Sequence, residues 1–306
     1  MRVLITGGSG FIGSHLAEYF QGKADVRVLD NFSTGFGGNL AGIECEVIEG
    51  SILDRERVRE AMRGVDYVFH LAAMISVPES MENPTGCAET NIVGTLIVLE
   101  EAARAGVRKL SLSSSAAIYG NNPVMPKREK MIPEPASPYA ISKLDGEYHC
   151  RLFAATGRVA TVALRYFNVF GPRQNPASAY AAAVPIFIHR ALRNEPITIY
   201  GDGGQTRDFI FVRDVARANA FFATESAETG VFNVARGGTI SIRELAERIV
   251  RLTGSRSEIV HGPERAGDVR HSTASLEKLS AAGFAAAVDF DEGLRETIES
   301  YKTTLR

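Results

Sequence analysis

One stretch decides the fold of this chain: Arg2-Val3-Leu4-Ile5-Thr6-Gly7-Gly8-Ser9-Gly10-Phe11-Ile12-Gly13. Residues 2–6 predict a short buried strand, and the amphipathic pattern after the glycines predicts a helix. Gly7 permits a tight turn, Gly10 lets the backbone approach a pyrophosphate, and Gly13 lets the helix pack closely on the strand. Backbone N–H groups and the positive end of the helix would then hold the phosphates of a dinucleotide.

The next predicted strand, near residues 26–30, supports a dinucleotide site. It ends in Asp30, seventeen positions after Gly13. A carboxylate at this place suits the ribose diol of NAD and would repel the 2′-phosphate of NADP. Residues 31–35 contain no arginine that would accommodate such a phosphate. An acidic residue at a strand end can also be an ordinary turn residue, but the glycine turn favours NAD.

The first half of the chain alternates short apolar strands with helices, which is typical of a doubly wound parallel sheet. Strands are expected near residues 2–6, 26–30, 46–49, 66–71, 108–113 and 159–165, and helices near residues 11–22, 55–63, 85–105 and 138–156. After about residue 166 this alternation fades. We expect an α/β fold with a Rossmann domain over residues 1–166, to which later segments return, and a smaller mixed substrate-binding domain mainly over residues 167–306.

Composition excludes several other classes of protein. The chain has 306 residues, a net charge of −2 and no basic stripe, so no nucleic-acid partner is expected. No apolar run is long enough to span a bilayer and no signal pattern begins the chain, so no membrane partner is expected. The three cysteines and six histidines show neither a disulfide framework nor metal-ligand spacing. We therefore expect a soluble, cytoplasmic enzyme without a metal.

A tyrosine and a lysine lie four residues apart in Ser137-Pro138-Tyr139-Ala140-Ile141-Ser142-Lys143. Ser137 is a good N-cap and Pro138 a good first helical residue, so both side chains should project from one helix face. A nearby ammonium favours the phenolate and would lower a tyrosine pKa that starts at about 10. Such a tyrosine could act as an acid or base. An isolated Tyr-x-x-x-Lys is usually a solvated helix pair, and only the nucleotide-binding context favours catalysis here.

Hydroxyl groups end the predicted fifth strand at Ser113, Ser114 and Ser115, on the sheet edge that faces the Tyr139 helix. A serine there can hydrogen-bond a substrate hydroxyl beside the tyrosine, although small residues also end many ordinary strands. With the glycine turn, Asp30 and the Tyr139 pair in this order, the chain resembles the extended short-chain dehydrogenase/reductase family over essentially its whole length. Within that family it is most similar to the UDP-glucose (UDP-galactose) 4-epimerases.

The resemblance implies catalytic roles for Tyr139, Lys143 and Ser115, with Ser114 as the alternative to Ser115. It also implies that NAD contacts the glycine turn and the following strand ends, namely Gly7, Gly10, Phe11, Ile12, Gly13, Asp30, Asn31, Ser33, Thr34, Gly35, Ser51, Ile52, Leu71, Ala72, Ala73, Asn91 and Ser113, together with Tyr139 and Lys143. Relatives usually carry an aspartate at the place of Ser51, so we expect a weaker contact to adenine there. The side chain of His70 is interpreted as a satisfied core histidine.

By the same resemblance, a UDP-sugar would be bound by Ser115, Asn168, Val184, Tyr200, Arg207, Arg265, Asp268 and Ser272. The guanidinium of Arg207 suits a diphosphate, and the ring of Tyr200 would lie against uracil. Some epimerases have a bulky tyrosine where this chain has Ser272. The small residue would leave room for an N-acetyl group at C2, unless Ser272 is a simple loop serine.

The implied activity is interconversion of UDP-glucose and UDP-galactose, with UDP-GlcNAc and UDP-GalNAc as a second possible pair, through transient oxidation at C4 by retained NAD. A nucleotide-sugar 4,6-dehydratase is the main alternative, but such relatives carry an Asp-Glu pair where this chain has Ala116 and Ala117. A non-catalytic, NAD-binding regulatory protein is the second alternative, which the intact Tyr139 and Lys143 disfavour. Relatives also pair the helices near residues 85–105 and 138–156 into a four-helix bundle, so a homodimer is expected.

Overall fold

The computed structural model describes residues 1–175, 182–264 and 269–304. Its strands are β1 (Arg2–Thr6), β2 (Asp25–Asp30), β3 (Glu46–Glu49), β4 (Tyr67–His70), β5 (Lys109–Ser115), β6 (Ala160–Tyr166), β7 (Asn168–Phe170), β8 (Ile197–Tyr200), β9 (Thr206–Arg207), β10 (Phe209–Phe211), β11 (Gly230–Val234), β12 (Ile240–Ser241), β13 (Ile259–Gly262) and β14 (His271–Ser272).

The helices alternate with the strands through the first half of the chain. They are α1 (Phe11–Phe20), α2 (Arg55–Ala61), α3 (Val77–Glu82), α4 (Pro84–Ala88), α5 (Gly94–Arg104), α6 (Pro138–Ala155), α7 (Ala183–Leu192), α8 (Val212–Ala220), α9 (Ile242–Thr253), α10 (Glu277–Ala281) and α11 (Phe290–Thr304). Within the described residues no helix combines the length and the apolar character that crossing a bilayer requires.

A seven-stranded sheet forms the larger lobe, in the order β11-β6-β5-β4-β1-β2-β3. Every pairing in this sheet is parallel. This arrangement confirms the predicted α/β class, and all six strands predicted from the first half are present. The order reverses at β1, which lies between β2 and β4. Ligands of doubly wound sheets bind at such a reversal, beyond the carboxyl ends of the strands.

One helix of the larger lobe differs from the sequence prediction, and one strand joins the sheet from a later segment of the chain. The helix expected near residues 85–105 is divided into α4 and α5 by a π-helical turn over Glu89–Val93. The seventh strand, β11, comes from the second half of the chain and pairs with β6. Its alternating signal is short, and only the pairing with an existing parallel strand makes it part of the sheet.

The smaller lobe contains three short sheets. β7 pairs with β10, β8 pairs with β13, and β9 lies between β12 and β14. Helices α7, α9 and α11 enclose an apolar core between these sheets, which includes Phe170, Phe211, Leu245, Phe290 and Leu294. A reciprocal capping box between Ser241 and Glu244 starts α9, and Gly254 ends it in the left-handed conformation. These short strands carry the segments predicted to bind substrate.

Candidate active site

The glycine turn has the close contacts that its sequence predicts. Gly7 has a φ of +72°, and a Cβ on it would lie 2.7 Å from the backbone nitrogen of Ala72. A Cβ on Gly13 would lie 2.2 Å from the carbonyl oxygen of Gly7. A larger residue at either position would therefore push α1 or the β4 strand end away. Gly10 is the N-cap of α1 and has no side chain to cover the first amides of the helix. These amides can therefore face a phosphate.

Asp30 ties the glycine turn to the end of β2. Its Oδ2 accepts a hydrogen bond from the Ser9 backbone N–H at 2.9 Å, and its Oδ1 accepts one from the Phe32 N–H at 2.9 Å. A Cβ on Gly35 would lie 2.0 Å from Ser9 Oγ, so the segment after β2 also closes on this turn. Asn31 turns that segment by accepting from the Ser33 N–H at 3.1 Å. The predicted cofactor residues from Gly7 to Gly35 thus form one contiguous surface.

The side chains of Ser51 and Ile52, the two residues predicted to contact adenine, are already engaged within the protein. Ser51 Oγ accepts a hydrogen bond from the Leu53 N–H at 3.1 Å. The side chain of Ile52 is buried in the apolar core of the larger lobe, where it lies against Gly94. A contact from Ile52 to a cofactor would therefore involve its backbone.

His70 is a satisfied core histidine, as interpreted from the sequence. Its Nδ1 lies 2.7 Å from Thr6 Oγ1 and its Nε2 lies 2.9 Å from Thr95 Oγ1. Because Thr95 donates its own hydroxyl proton to the Asn91 carbonyl, it accepts from Nε2–H, and Thr6 donates to Nδ1. Burial, with a smaller effect of the Lys143 charge, lowers the His70 pKa to about 3. The ring is therefore neutral and fixes the β4 strand end rather than acting as an acid.

Asn91 connects the segment after β4 to the helix that carries Tyr139. Its Oδ1 accepts from the Met74 N–H at 2.7 Å, and its Nδ2 donates to the Met74 carbonyl at 2.9 Å. The same amide donates to Ser142 Oγ at 3.0 Å. Asn91 lies in the π-helical turn between α4 and α5. Its side chain therefore aligns the Leu71–Ala73 segment with α6.

Tyr139, Lys143 and Ser115 lie together at the carboxyl end of β5. The Ser137 side chain caps α6 by accepting from the Ala140 N–H at 3.2 Å, as predicted. Lys143 Nζ lies 5.8 Å from the centre of the Tyr139 ring and donates to the Ser113 carbonyl at 2.9 Å. The Ser115 side chain lies close enough to Tyr139 to lower the pKa of its phenol.

The protonation of this group differs from the sequence prediction. The sequence predicts that Lys143 lowers the pKa of Tyr139, but burial raises the pKa of that phenol, and the nearby Ser115 offsets only part of the rise. Burial also lowers the pKa of Lys143 to about 8. Desolvation disfavours the charged form of both groups and is the largest cause of both shifts.

Ser114 is not available as the alternative to Ser115. Its buried hydroxyl donates to Glu147, and Glu147 also forms a bidentate pair with Arg165 at 2.8 and 2.6 Å. Glu147 lies four residues after Lys143 on α6, so it continues the Tyr139 helix face. Sequence reasoning missed this buried ion pair, although the i, i+4 spacing was a signal that could have found it.

The predicted substrate residues come from several elements. In the described residues Arg207 and Ser272 are directly paired between β9 and β14. Asn168, the first residue of β7, donates from Nδ2 to the Asp208 carbonyl at 3.3 Å. Tyr200 ends β8 with its side chain partly exposed and its ring against Gly262.

For three further predicted substrate residues, the described part of the chain shows no side chain at the proposed substrate site. The Val184 side chain is buried in the core of the smaller lobe, so only its backbone could contact a ligand. Arg265 and Asp268 lie outside the described residues. Across the described part of the chain, no group of three or more His, Cys, Asp or Glu side chains is arranged to hold a metal ion.

Known proteins similar to this chain share its length and fold. A family model described as the NAD dependent epimerase/dehydratase family matches residues 3–235. A curated protein of Methanocaldococcus jannaschii, a putative UDP-glucose 4-epimerase, is 34% identical over 307 positions covering 99% of both chains. The solved UDP-glucose 4-epimerase of Thermotoga maritima with UDP-glucose is 40% identical, with a TM-score of 0.95 over 100% of both chains. The UDP-N-acetylglucosamine 4-epimerase of Methanobrevibacter ruminantium, in complex with UDP-N-acetylmuramic acid, is 39% identical, with a TM-score of 0.96 over 99% of this chain and 98% of that one.

Proposed function

The chain belongs to the NAD-dependent epimerase/dehydratase family, and we propose that it interconverts UDP-glucose and UDP-galactose by inverting the configuration at C4. The observation that carries this proposal is the grouping of Tyr139, Lys143 and Ser115 at the carboxyl end of β5, at the same sheet edge as the glycine turn after β1. The glycine turn after β1 and Asp30 would hold NAD, which would supply reversible hydride acceptance at C4, so the reaction would have no net redox change.

The turn after β1 fits NAD on structural grounds. The positive φ of Gly7 and the small separation of Gly13 from the Gly7 carbonyl keep a narrow cradle that a Cβ would fill. Asp30 presents a buried carboxylate at the end of β2, where a ribose diol can donate to it. The same carboxylate would repel a 2′-phosphate, which supports NAD over NADP.

Tyr139 is the proposed acid–base residue for the sugar 4-hydroxyl. The phenolate takes the hydroxyl proton as the C4 hydrogen leaves as hydride, and the phenol returns a proton when C4 is reduced again. Ser115 lies close to Tyr139 and would hold the same sugar oxygen. Because burial raises the Tyr139 pKa, the phenolate needs a further positive charge nearby. Lys143 and an oxidised nicotinamide would supply that charge together.

The UDP portion would keep the sugar bound while its ring turns. Arg207 offers a guanidinium suited to a diphosphate, and Ser272 lies opposite it on the paired strand β14. Asn168 pairs with Phe209, two residues after Arg207. Tyr200 would support the uracil ring. A keto sugar held mainly by its diphosphate can present either face to the hydride, which accounts for inversion at C4 rather than simple oxidation.

The identity of the sugar is a finer part of the proposal. One solved relative is a UDP-glucose 4-epimerase and another is a UDP-N-acetylglucosamine 4-epimerase. Ser272 pairs with Arg207 across the strands, so its small side chain lies beside the residue proposed to bind the diphosphate. We propose that the space beside Ser272 accommodates a C2 acetamido group and that UDP-GlcNAc is a second substrate.

A cytoplasmic location of the protein stays a prediction.

A homodimer is supported by an exposed apolar face on α6. Ile141, Tyr148 and Leu152 lie on one side of that helix, 52%, 45% and 55% exposed. Val93, in the π-helical turn, is 47% exposed. The stripe of Leu96, Leu99 and Ala103 on α5, by contrast, packs against the core of the same chain and does not support a dimer. We propose that the α6 face and Val93 form the contact between two copies.

A product assay tests the reaction against both alternatives. Purified protein is incubated with UDP-galactose, UDP-GlcNAc or dTDP-glucose, and the products are separated by anion-exchange chromatography. The proposal predicts a UDP-glucose/UDP-galactose equilibrium without consumption of added NAD. A 4-keto-6-deoxy product would indicate a dehydratase instead, although Ala116 and Ala117 cannot move the protons of that elimination. No product and no change in nicotinamide absorbance would indicate a regulatory protein.

A further inference from the structure

Asp208 is a fully buried carboxylate between β9 and β10. Its Oδ1 accepts hydrogen bonds from the backbone N–H groups of Arg236 and Gly237, both at 3.1 Å. Its Oδ2 accepts from the Ala274 N–H at 3.3 Å and also from Gly237 at 3.2 Å. One side chain therefore joins the segment after β11 to the segment after β14.

The backbone of Asp208 touches the proposed substrate residues themselves. Its N–H donates to the Ser272 carbonyl at 3.0 Å, and its carbonyl accepts from Asn168 Nδ2 at 3.3 Å. Arg207 precedes it in the chain and pairs with Ser272 across the strands. Arg207, Asn168 and Ser272 are thus each one covalent or hydrogen bond away from Asp208.

A carboxylate is suited to this place for a chemical reason. Three amide N–H groups converge on it, and an ionised carboxylate has acceptor sites for all of them. An asparagine would keep one acceptor oxygen but turn an NH2 group toward backbone donors. Burial raises the pKa of Asp208 to about 6, against the effect of the bonds from Ala274, Gly237 and Arg236. The group is therefore mostly ionised at pH 7.5.

We propose that Asp208 is a positioning residue for the diphosphate-binding site. It would fix the relative positions of Arg207, Asn168 and Ser272. This inference rests on the proposed function, because it takes these three residues as the substrate site. Asp208 itself would not touch the substrate. Loss of its carboxylate would release the segments that carry Gly237 and Ala274, and the register of β9 against β14 would loosen. A misplacement of about 1 Å in such a site costs up to 100-fold in rate or affinity.

Asp208→Asn is the test, and Asp214→Asn is its matched control. Asp214 is also fully buried, and it accepts from the N–H groups of Ala287 and Val288 at 3.1 and 2.9 Å. It lies on α8, joins the segment before α11 and pairs with Arg217, and none of its hydrogen bonds reaches a proposed substrate residue. Both variants remove a buried carboxylate that binds loop amides, so both should lower thermal stability. Only Asp208→Asn should change the diphosphate site.

UDP binding by calorimetry and epimerisation kinetics are measured for wild type and both variants, well below the lowest melting temperature. For Asp208→Asn we expect UDP affinity to fall about 10- to 100-fold, with a rise in KM that exceeds the fall in kcat. Retained NAD should be unchanged. For Asp214→Asn we expect wild-type affinity and KM.

Equal UDP affinity in wild type and Asp208→Asn, or an equal loss in both variants, would overturn the positioning role. A wild type that binds no UDP would also overturn it. If Asp208→Asn does not fold, Asp208→Glu keeps the charge but shifts it by one methylene, and its UDP affinity should fall at least threefold; wild-type affinity would refute the role. A wild type that binds UDP but forms no epimer would refute the reaction alone, and the difference between the two variants would still test Asp208.

Discussion

Ser113, Ser114 and Ser115 are identical residues to which the fold gives three different roles. The Ser113 carbonyl accepts a hydrogen bond from the Lys143 ammonium, the Ser114 hydroxyl donates to the buried Glu147, and the Ser115 hydroxyl lies close enough to Tyr139 to lower its pKa. Successive side chains of a strand point in opposite directions, so one step along β5 changes the environment completely. At the scale of residues, the catalytic proposal therefore depends on position rather than on residue type.

Tyr139→Phe is expected to lower turnover of UDP-galactose by roughly two to four orders of magnitude, because it removes the only proposed acid–base group on the sugar 4-hydroxyl. The ring stays, so the fold and the amount of retained NAD should not change. Initial rates and nicotinamide absorbance of the purified protein provide the measurement. Tyr148→Phe, which removes an exposed hydroxyl from the same helix, is the control and should keep wild-type turnover. Near-normal turnover of Tyr139→Phe would remove Tyr139 from its central role.

Ser272→Tyr is expected to suppress turnover of UDP-GlcNAc while largely sparing UDP-galactose. A phenol ring beside Arg207 would overlap an acetamido group at a cost of about 1–3 kcal/mol. The two substrates are compared by kcat/KM, with Ser272→Ala as a control that keeps the space open. An equal loss on both sugars would mean that Ser272 shapes the pocket generally. No effect on either sugar would place it outside the sugar wall.

At the scale of elements, the apolar residues of α5 and α6 differ in their exposure to solvent. Those of α5 fill the core of their own chain, whereas those of α6 include Ile141 and Leu152, which are exposed. Periodicity alone cannot distinguish these cases, because a stripe that packs on a sheet and a stripe that packs on a second copy have the same spacing.

Leu152→Glu is expected to shift the protein from dimer to monomer, since a charge buried in an apolar contact is left without a partner. Sedimentation velocity at micromolar concentration would measure the shift. Val260→Glu introduces the same charge at an exposed apolar residue of β13 in the smaller lobe and should leave the dimer intact. A wild type that sediments only as a monomer would rule out the proposed contact.

At the scale of the whole molecule, His70 joins three elements by bonding Thr6 on β1 and Thr95 on α5 from its place in β4. Its pKa is lowered to about 3 from 6.5, so between these pH values the unfolded chain binds a proton that the folded chain does not. Stability from this residue is therefore present above pH 6.5 and falls as the pH drops toward 3.

Urea unfolding at pH 6.5 and pH 5 should show a loss to which His70 contributes about 1–2 kcal/mol. His70→Asn should have a lower free energy of unfolding than wild type at both pH values. Its free energy of unfolding should, however, decrease less between pH 6.5 and pH 5. The difference between the two pH values, rather than the absolute stability, is the measured quantity. An identical difference in wild type and His70→Asn would contradict the assignment of this acid sensitivity to His70.

The sequence by itself determined the local and periodic features of this protein. The glycine turn, Asp30 and the six alternating strands follow from neighbours a few residues apart, and the Ser137 cap of α6 follows from one residue and its helix. These features depend on backbone geometry and hydrophobic period, which short stretches of sequence carry.

Only the tertiary structure decided the features that depend on residues far apart in the chain. The pairing of β11 with β6 adds a strand from the second half of the chain. The convergence of Arg236, Gly237 and Ala274 on Asp208 joins the segment after β11 to the segment after β14. The rise in the Tyr139 pKa also depends on residues far apart in the chain, because packing buries the phenol. Burial is a property of the packed molecule, so the sequence reveals which groups can attract each other but not how much water they lose.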